Sequence, residues 1–155
     1  SISDYSIKTT SGNKIDCGDI LRRRQETDYN LVVGVYSQCD DYKVFHTEYT
    51  FYIRPEHESI LWGKMNYNQL CEYVNYVKNI PAGKAAQQET KAERTILKNC
   101  ISDKNALIKI HPKVDSKKQR RVQCSLKISE LMTSGIEYKV TAIREFVQSP
   151  SRQFN

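Results

Sequence analysis

Two stretches of the sequence hold side chains whose types and spacing could do chemistry. The first is Ile7-Lys8-Thr9-Thr10-Ser11-Gly12, a strand-borne lysine followed by small polar residues. A lysine so placed can orient an attacking water and steady the charge that develops on a phosphate. It needs a carboxylate facing the same way. The position two before it is Ser6, and the nearest upstream carboxylate is Asp4, four before, which keeps the same side of a strand. The second stretch runs from Lys109 to Arg121, where six Lys or Arg face a single Asp. Within and just beyond it, Lys113, Ser116, Lys117, Lys118, Gln119, Arg120, Arg121 and Gln123 combine charge suited to phosphate with Arg and Gln groups that fit base edges in a groove. The bland alternative is a solvated basic loop. Arg22 and Arg23, in Arg22-Arg23-Arg24, form a second cluster, and the chain carries 24 Lys+Arg against 18 Asp+Glu, a net charge of +6. That balance weighs toward a nucleic-acid partner.

The lysine is expected on a short strand over 5–10 with a turn at Ser11-Gly12-Asn13. A short helix is expected from about 18 to 25, with Ile20 and Leu21 ahead of the three arginines. Leu31-Val32-Val33-Gly34-Val35-Tyr36 reads as a buried strand, Cys39-Asp40-Asp41 as a turn, and 42–53 as the returning strand, its alternation interrupted around Thr47. Leu70, Tyr73, Val74 and Val77 fall on one helical face, with Asn66 as N-cap and Pro81-Ala82-Gly83 as stop. Lys84 to about Ile101 reads as a second helix whose Ile96, Leu97 and Ile101 give it a buried end. The basic run is then the tip between strands over 106–111 and 121–128, and Arg121, Gln123, Ser125 and Lys127 share one strand face as a polar stripe. A helical turn near 129–133 leads to a last strand, about 136–144. Strands and helices interleaved in this order predict an α/β (α+β) fold, a mixed β-sheet flanked by helices, in a single domain over 1–155.

Composition excludes several classes. A length of 155 residues suits one core, and 39% hydrophobic residues with ten tyrosines is richer than a disordered chain. No run approaches the ~18 apolar residues of a membrane-spanning helix. The first residues, which lack a Met, show neither a basic n-region nor an apolar core, so no signal peptide is read. Cysteines at 17, 39, 71, 100 and 124 are irregularly spaced and odd in number, against both a zinc site and a disulfide framework. They are expected to be small, mostly buried thiols in a reducing cytoplasm. His46, His57 and His111 are scattered and give no catalytic triad by spacing, and His111 is expected to face solvent. Gly63 and Gly83 belong to no phosphate-cradling pattern, and Trp62, with Ile60, Leu61 and Met65, reads as a core anchor.

The order of three segments carries a resemblance. Ile-Lys-Thr-Thr-Ser-Gly-Asn, then Cys-Gly-Asp-Ile-Leu-Arg, then Leu-Val-Val-Gly-Val-Tyr resembles the catalytic half of PD-(D/E)XK type II restriction endonucleases. The stretch from Ile110 to Lys127 looks like the terminal hairpin with which several small enzymes of that kind contact DNA. The resemblance implies a restriction-endonuclease-like fold, with a catalytic-core remnant about 1–55, a helical segment about 58–103, and a DNA-contacting C-terminal basic β-hairpin and strand about 105–148. It implies Mg²⁺-dependent hydrolysis of double-stranded DNA at a specific sequence, in the cytoplasm, with a homodimer as one subunit arrangement. Lys8 and Ser6 would take the catalytic positions, Asp4 would be the carboxylate for the metal, and Arg22, Arg23 and the 113–123 segment would meet DNA. The family's strand motif is Asp/Glu-x-Lys. Lys8 matches its lysine, Ser6 departs from its acidic position, and the family's first metal-binding Asp would lie before residue 1, so the chain reads as the C-terminal portion of such an enzyme. Two other readings stand beside it. One is a non-catalytic nucleic-acid-binding module on the same basic surface, and the other is a protein-interaction domain whose Tyr-rich hairpin, 42–53, forms the contact.

Overall fold

A computed structural model describes residues 4–115 and 119–148. In chain order its elements are β1 (Asp4–Thr10), β2 (Lys14–Asp19), α1 (Ile20–Gln25), β3 (Tyr29–Cys39), β4 (Tyr42–Ile53), a 3₁₀ turn (Pro55–His57), α2 (Glu58–Trp62), α3 (Tyr67–Lys78), α4 (Lys84–Ile101), β5 (Lys109–Lys113), β6 (Arg121–Lys127), α5 (Ile128–Met132) and β7 (Tyr138–Gln148). The strands form two sheets, ordered β1-β3-β4-β7 and β2-β6-β5, in place of the single mixed sheet expected. The described residues divide into two compact units, one of 4–15, 28–54 and 127–148, the other of 16–27, 55–115 and 119–126.

The first unit is built on the four-stranded sheet. Alternation puts Leu31 and Val33 of β3 beside Phe51 and Tyr49 of β4, and Leu31, Val33, Phe51 and Ile53 are fully buried. β1 runs parallel to β3, with Ser6 opposite Leu31 and Lys8 opposite Val33; the other two pairings are antiparallel. The register shifts between Val35 and Tyr36 on one side and between Phe45 and Thr47 on the other, where the sequence alternation breaks. The extra residue turns Phe45 onto the face of Gly34. A β-carbon on Gly34 would sit 3.1 Å from the Phe45 ring, so the glycine leaves room for it. The loop after β1 is tied down by Asn13. Its Oδ1 accepts from Ser129 N (2.9 Å), its Nδ2 donates to Ser129 Oγ (2.8 Å), and its carbonyl accepts from Ile128 N (2.9 Å).

In the second unit α3 and the sheet β2-β6-β5 each bury one apolar face. Leu70, Tyr73, Val74 and Val77 of α3 are buried, as are Ile110, Val122, Cys124 and Leu126 of the sheet. Asn66 caps α3, its Oδ1 accepting from Gln69 N at 2.8 Å, and Trp62, at the end of α2, is 3% exposed. Three expectations are corrected. β2 is a strand that two apolar residues, Ile15 and Cys17, did not announce. No residue of α4 is buried, and Ile96 is 63% exposed. This helix is held by polar contacts, with Gln87 Nε2 donating to Val114 O and Tyr73 Oη to Arg94 O (3.4 Å), rather than by an apolar end. Of the five free cysteines only Cys17 and Cys124 are buried; Cys39 sits exposed at the β3–β4 turn and Cys100 is exposed on α4. No helix among the described residues is long and apolar enough to cross a membrane.

Candidate nucleic-acid interface

β5 and β6 pair antiparallel, with Lys109 opposite Ser125, His111 opposite Gln123 and Lys113 opposite Arg121. The alternate positions, Ile110, Val122, Cys124 and Leu126, are buried. The pair therefore has one apolar face turned inward and one polar face carrying Lys109, His111, Lys113, Arg121, Gln123 and Ser125. The polar stripe of β6 is half of that face, and β5 supplies the other half. Ser125 is only 3% exposed, and its hydroxyl is hydrogen-bonded to His111 Nε2 at 2.6 Å. His111 is thus half-buried and anchored across the strands, not solvent-facing as expected.

At the start of β6, Gln119, Arg120, Arg121 and Gln123 line a shallow concavity of about 600 Å³ with Lys78 and Asp19. Arg120 donates to Pro81 O and Gln119 O, both at 3.4 Å. Ser116, Lys117 and Lys118, expected at the tip, lie outside the described residues. Asp19 acts locally, its Oδ1 accepting from Leu21 N (2.8 Å) and Arg22 N (3.2 Å) to cap α1. Gly18 before it has φ +77°, a left-handed conformation that favours glycine. Local structure thus accounts for the Cys-Gly-Asp-Ile segment.

The three arginines do not form one basic patch. Successive helical residues point about 100° apart. The Arg22 side chain is 85% exposed and pairs with Glu26 at 3.5 Å. Arg23 is buried, its guanidinium donating to Cys17 O and, at 3.0 Å, to Glu26 Oε2. Arg24 donates to Met65 O and Glu58 Oε1, both at 3.1 Å, and lies over the Trp62 ring. Arg23, expected at DNA, is an interior group.

On β1 the alternation is inverted. The apolar Tyr5 and Ile7 are 65% and 73% exposed, while Ser6 and Lys8 are half-buried on the face of Leu31 and Val33. Asp4 shares that face by its register and is exposed. The structure thus brings Asp4, Ser6 and Lys8 to one face. The following small residues shape the turn: Thr10 Oγ1 donates to Lys14 O (2.7 Å) and accepts from Gly12 N (3.2 Å). Among the described residues no group of three or more His, Cys, Asp or Glu could hold a metal ion.

A further basic feature is not visible as a run. Lys64, Lys98, Lys104 and Lys109 line a cleft of about 760 Å³ together with His111 and Asp103. The lysines come from four separate places in the chain, so only the fold assembles them. Asp103 accepts from Lys64 N (3.0 Å) and Asn105 N (2.9 Å), and these backbone donors hold its carboxyl below the ordinary 3.8. Elsewhere in this unit, burial pushes the Tyr73 phenol up to about 12. No protein-family model, curated protein or solved structure matches the chain.

Proposed function

We propose that the chain binds double-stranded DNA through the polar face of β5 and β6. The register that sets Lys109, His111 and Lys113 beside Ser125, Gln123 and Arg121 carries this reading. The buried reverse face fixes the strands, so the polar groups are presented on a rigid surface rather than a loose loop. Lys109, Lys113 and Arg121 suit phosphate oxygens, and Gln123, with Arg121, suits base edges. Titrating a short duplex at several salt concentrations tests it. Affinity should fall as salt rises, with a log–log slope of about −0.9 per phosphate bound. No measurable binding at low salt would overturn it.

The inverted burial of β1 favours a second reading, a Mg²⁺-dependent, site-specific endonuclease with a restriction-endonuclease-like fold. A lysine on the face of Val33, with isoleucine turned to solvent, departs from the usual alternation, and chemistry at Lys8 would explain it. A bound magnesium ion would supply an activated water. β1 offers it one carboxylate, Asp4, and one hydroxyl, Ser6, which do not by themselves make a magnesium site. The chain's own contribution is the Lys8 ammonium, set to steady charge on a phosphate. Plasmid cleavage with added Mg²⁺ tests this: Lys8→Ala should slow it by roughly 10²-fold. Parent-like cleavage by that variant would contradict the role of Lys8, and a parent that leaves DNA intact would favour the binding module.

A further inference from the structure

The cleft beside β5 gathers four lysines around a single carboxylate. Lys64, Lys98, Lys104 and Lys109 form no ion pair with any described carboxylate. The single acid in the lining, Asp103, accepts from the backbone N–H groups of Lys64 and Asn105, and its one negative charge faces four lysines. Lys109 Nζ donates to the Ala106 carbonyl at 3.0 Å, which orients the ammonium and leaves its charge intact. Like charges in such excess repel one another and focus a positive potential in the concavity. An anion is the ligand that relieves it.

The lining also restricts which anion. No Phe, Tyr or Trp is among the residues around the cleft, so it offers none of the usual platforms for stacking a base. Lysines from separate elements suit several phosphates in a row. Lys109 and His111 belong both to this cleft and to the polar face of β5 and β6. We infer that the cleft grips the phosphodiester backbone of the same duplex, extending the contact away from the hairpin face toward the end of α4. The inference rests on the DNA reading above.

The experiment is a salt series of duplex binding on the full chain, comparing the parent with Lys98→Ala/Lys104→Ala. Lys98 is half-buried on α4 and Lys104 is exposed in the turn after it, and neither pairs with a carboxylate, so the melting temperature should stay close to the parent's. The double variant should bind more weakly for every sequence, with a salt slope flatter by about 2, and Lys98→Arg/Lys104→Arg should restore it. If the alanine variant binds like the parent while Lys113→Ala/Arg121→Ala does not, the cleft inference is overturned and the hairpin reading stands. If the reverse holds, the cleft stands and the hairpin reading falls. Inorganic triphosphate is the second arm. Should it bind the parent and not the alanine variant while duplex affinity is equal in both, the cleft serves free polyphosphate and the backbone inference is overturned.

Discussion

The carboxylate of Asp103 fills the space in which any side chain on Gly63 would begin. Gly63 ends α2 with φ +56°, its N–H donating to Ser59 O at 2.9 Å. Asp103 can then reach the next amide, Lys64 N, and also hold Asn105 N. One glycine and one aspartate so lock the loop after α2 to the loop after α4. Two lysines of the basic cleft, Lys64 and Lys104, sit on those loops.

Replacing Gly63 by Ala should therefore be felt well beyond the loss of a flexible residue. The added methyl both strains the backbone and displaces the Asp103 carboxylate, at a cost of about 1–3 kcal/mol. The urea midpoint of unfolding would report it. A midpoint equal to the parent's would mean that Asp103 moves aside freely.

Asp103 also predicts a response to acid. Its carboxyl is held below 3.8 in the folded chain, so it favours the fold above that pH, and the gain is lost as pH falls through the lower folded value. Asp103→Asn should melt below the parent at neutral pH, with the gap closing below about pH 4. Parallel melting curves across that range would contradict the assignment.

Tyr73 predicts the opposite limb. Its phenol is pushed from 10.0 up to about 12 by burial, and its hydroxyl donates to Arg94 O. The fold favours the neutral form, so this contribution is present below pH 10 and is lost as pH rises toward 12. Tyr73→Phe should lose less stability than the parent over that interval. An equal loss in both would point to other groups.

Arg22 and Arg23 separate a surface cation from an interior one. Arg23→Ala removes the guanidinium's hydrogen bonds to the Cys17 carbonyl and to Glu26 and empties a buried site, and should cost about 1–3 kcal/mol. Arg22→Ala should stay within about 0.5 kcal/mol of the parent in stability. Chemical unfolding of the two variants would tell them apart, and equal stabilities would contradict the burial of Arg23.

What the sequence makes legible depends on how long a pattern persists. β4 at Tyr42–Ile53 and α4 at Lys84–Ile101 have the bounds expected, because each repeats its period or composition over many residues. The break near Thr47 marks the register shift itself. β2 and α2 are six and five residues long, too short for a period to show in the sequence. The same holds for the basic sites. Arg22-Arg23-Arg24 is one run that the helix distributes between solvent and interior. The cleft lysines are four isolated residues that the fold gathers. Charge in sequence counts cations, and only packing says which remain available.

The most direct test of DNA binding by β5 and β6 uses the cross-strand pair Lys113 and Arg121. A short duplex would be titrated with the parent and with Lys113→Ala/Arg121→Ala at low and moderate salt. The account predicts weaker binding by the variant, about equal for all sequences apart from the base read by Arg121, and a salt slope flatter by about 1 for each phosphate left without its cation. A variant that binds as the parent does at both salt concentrations would contradict it.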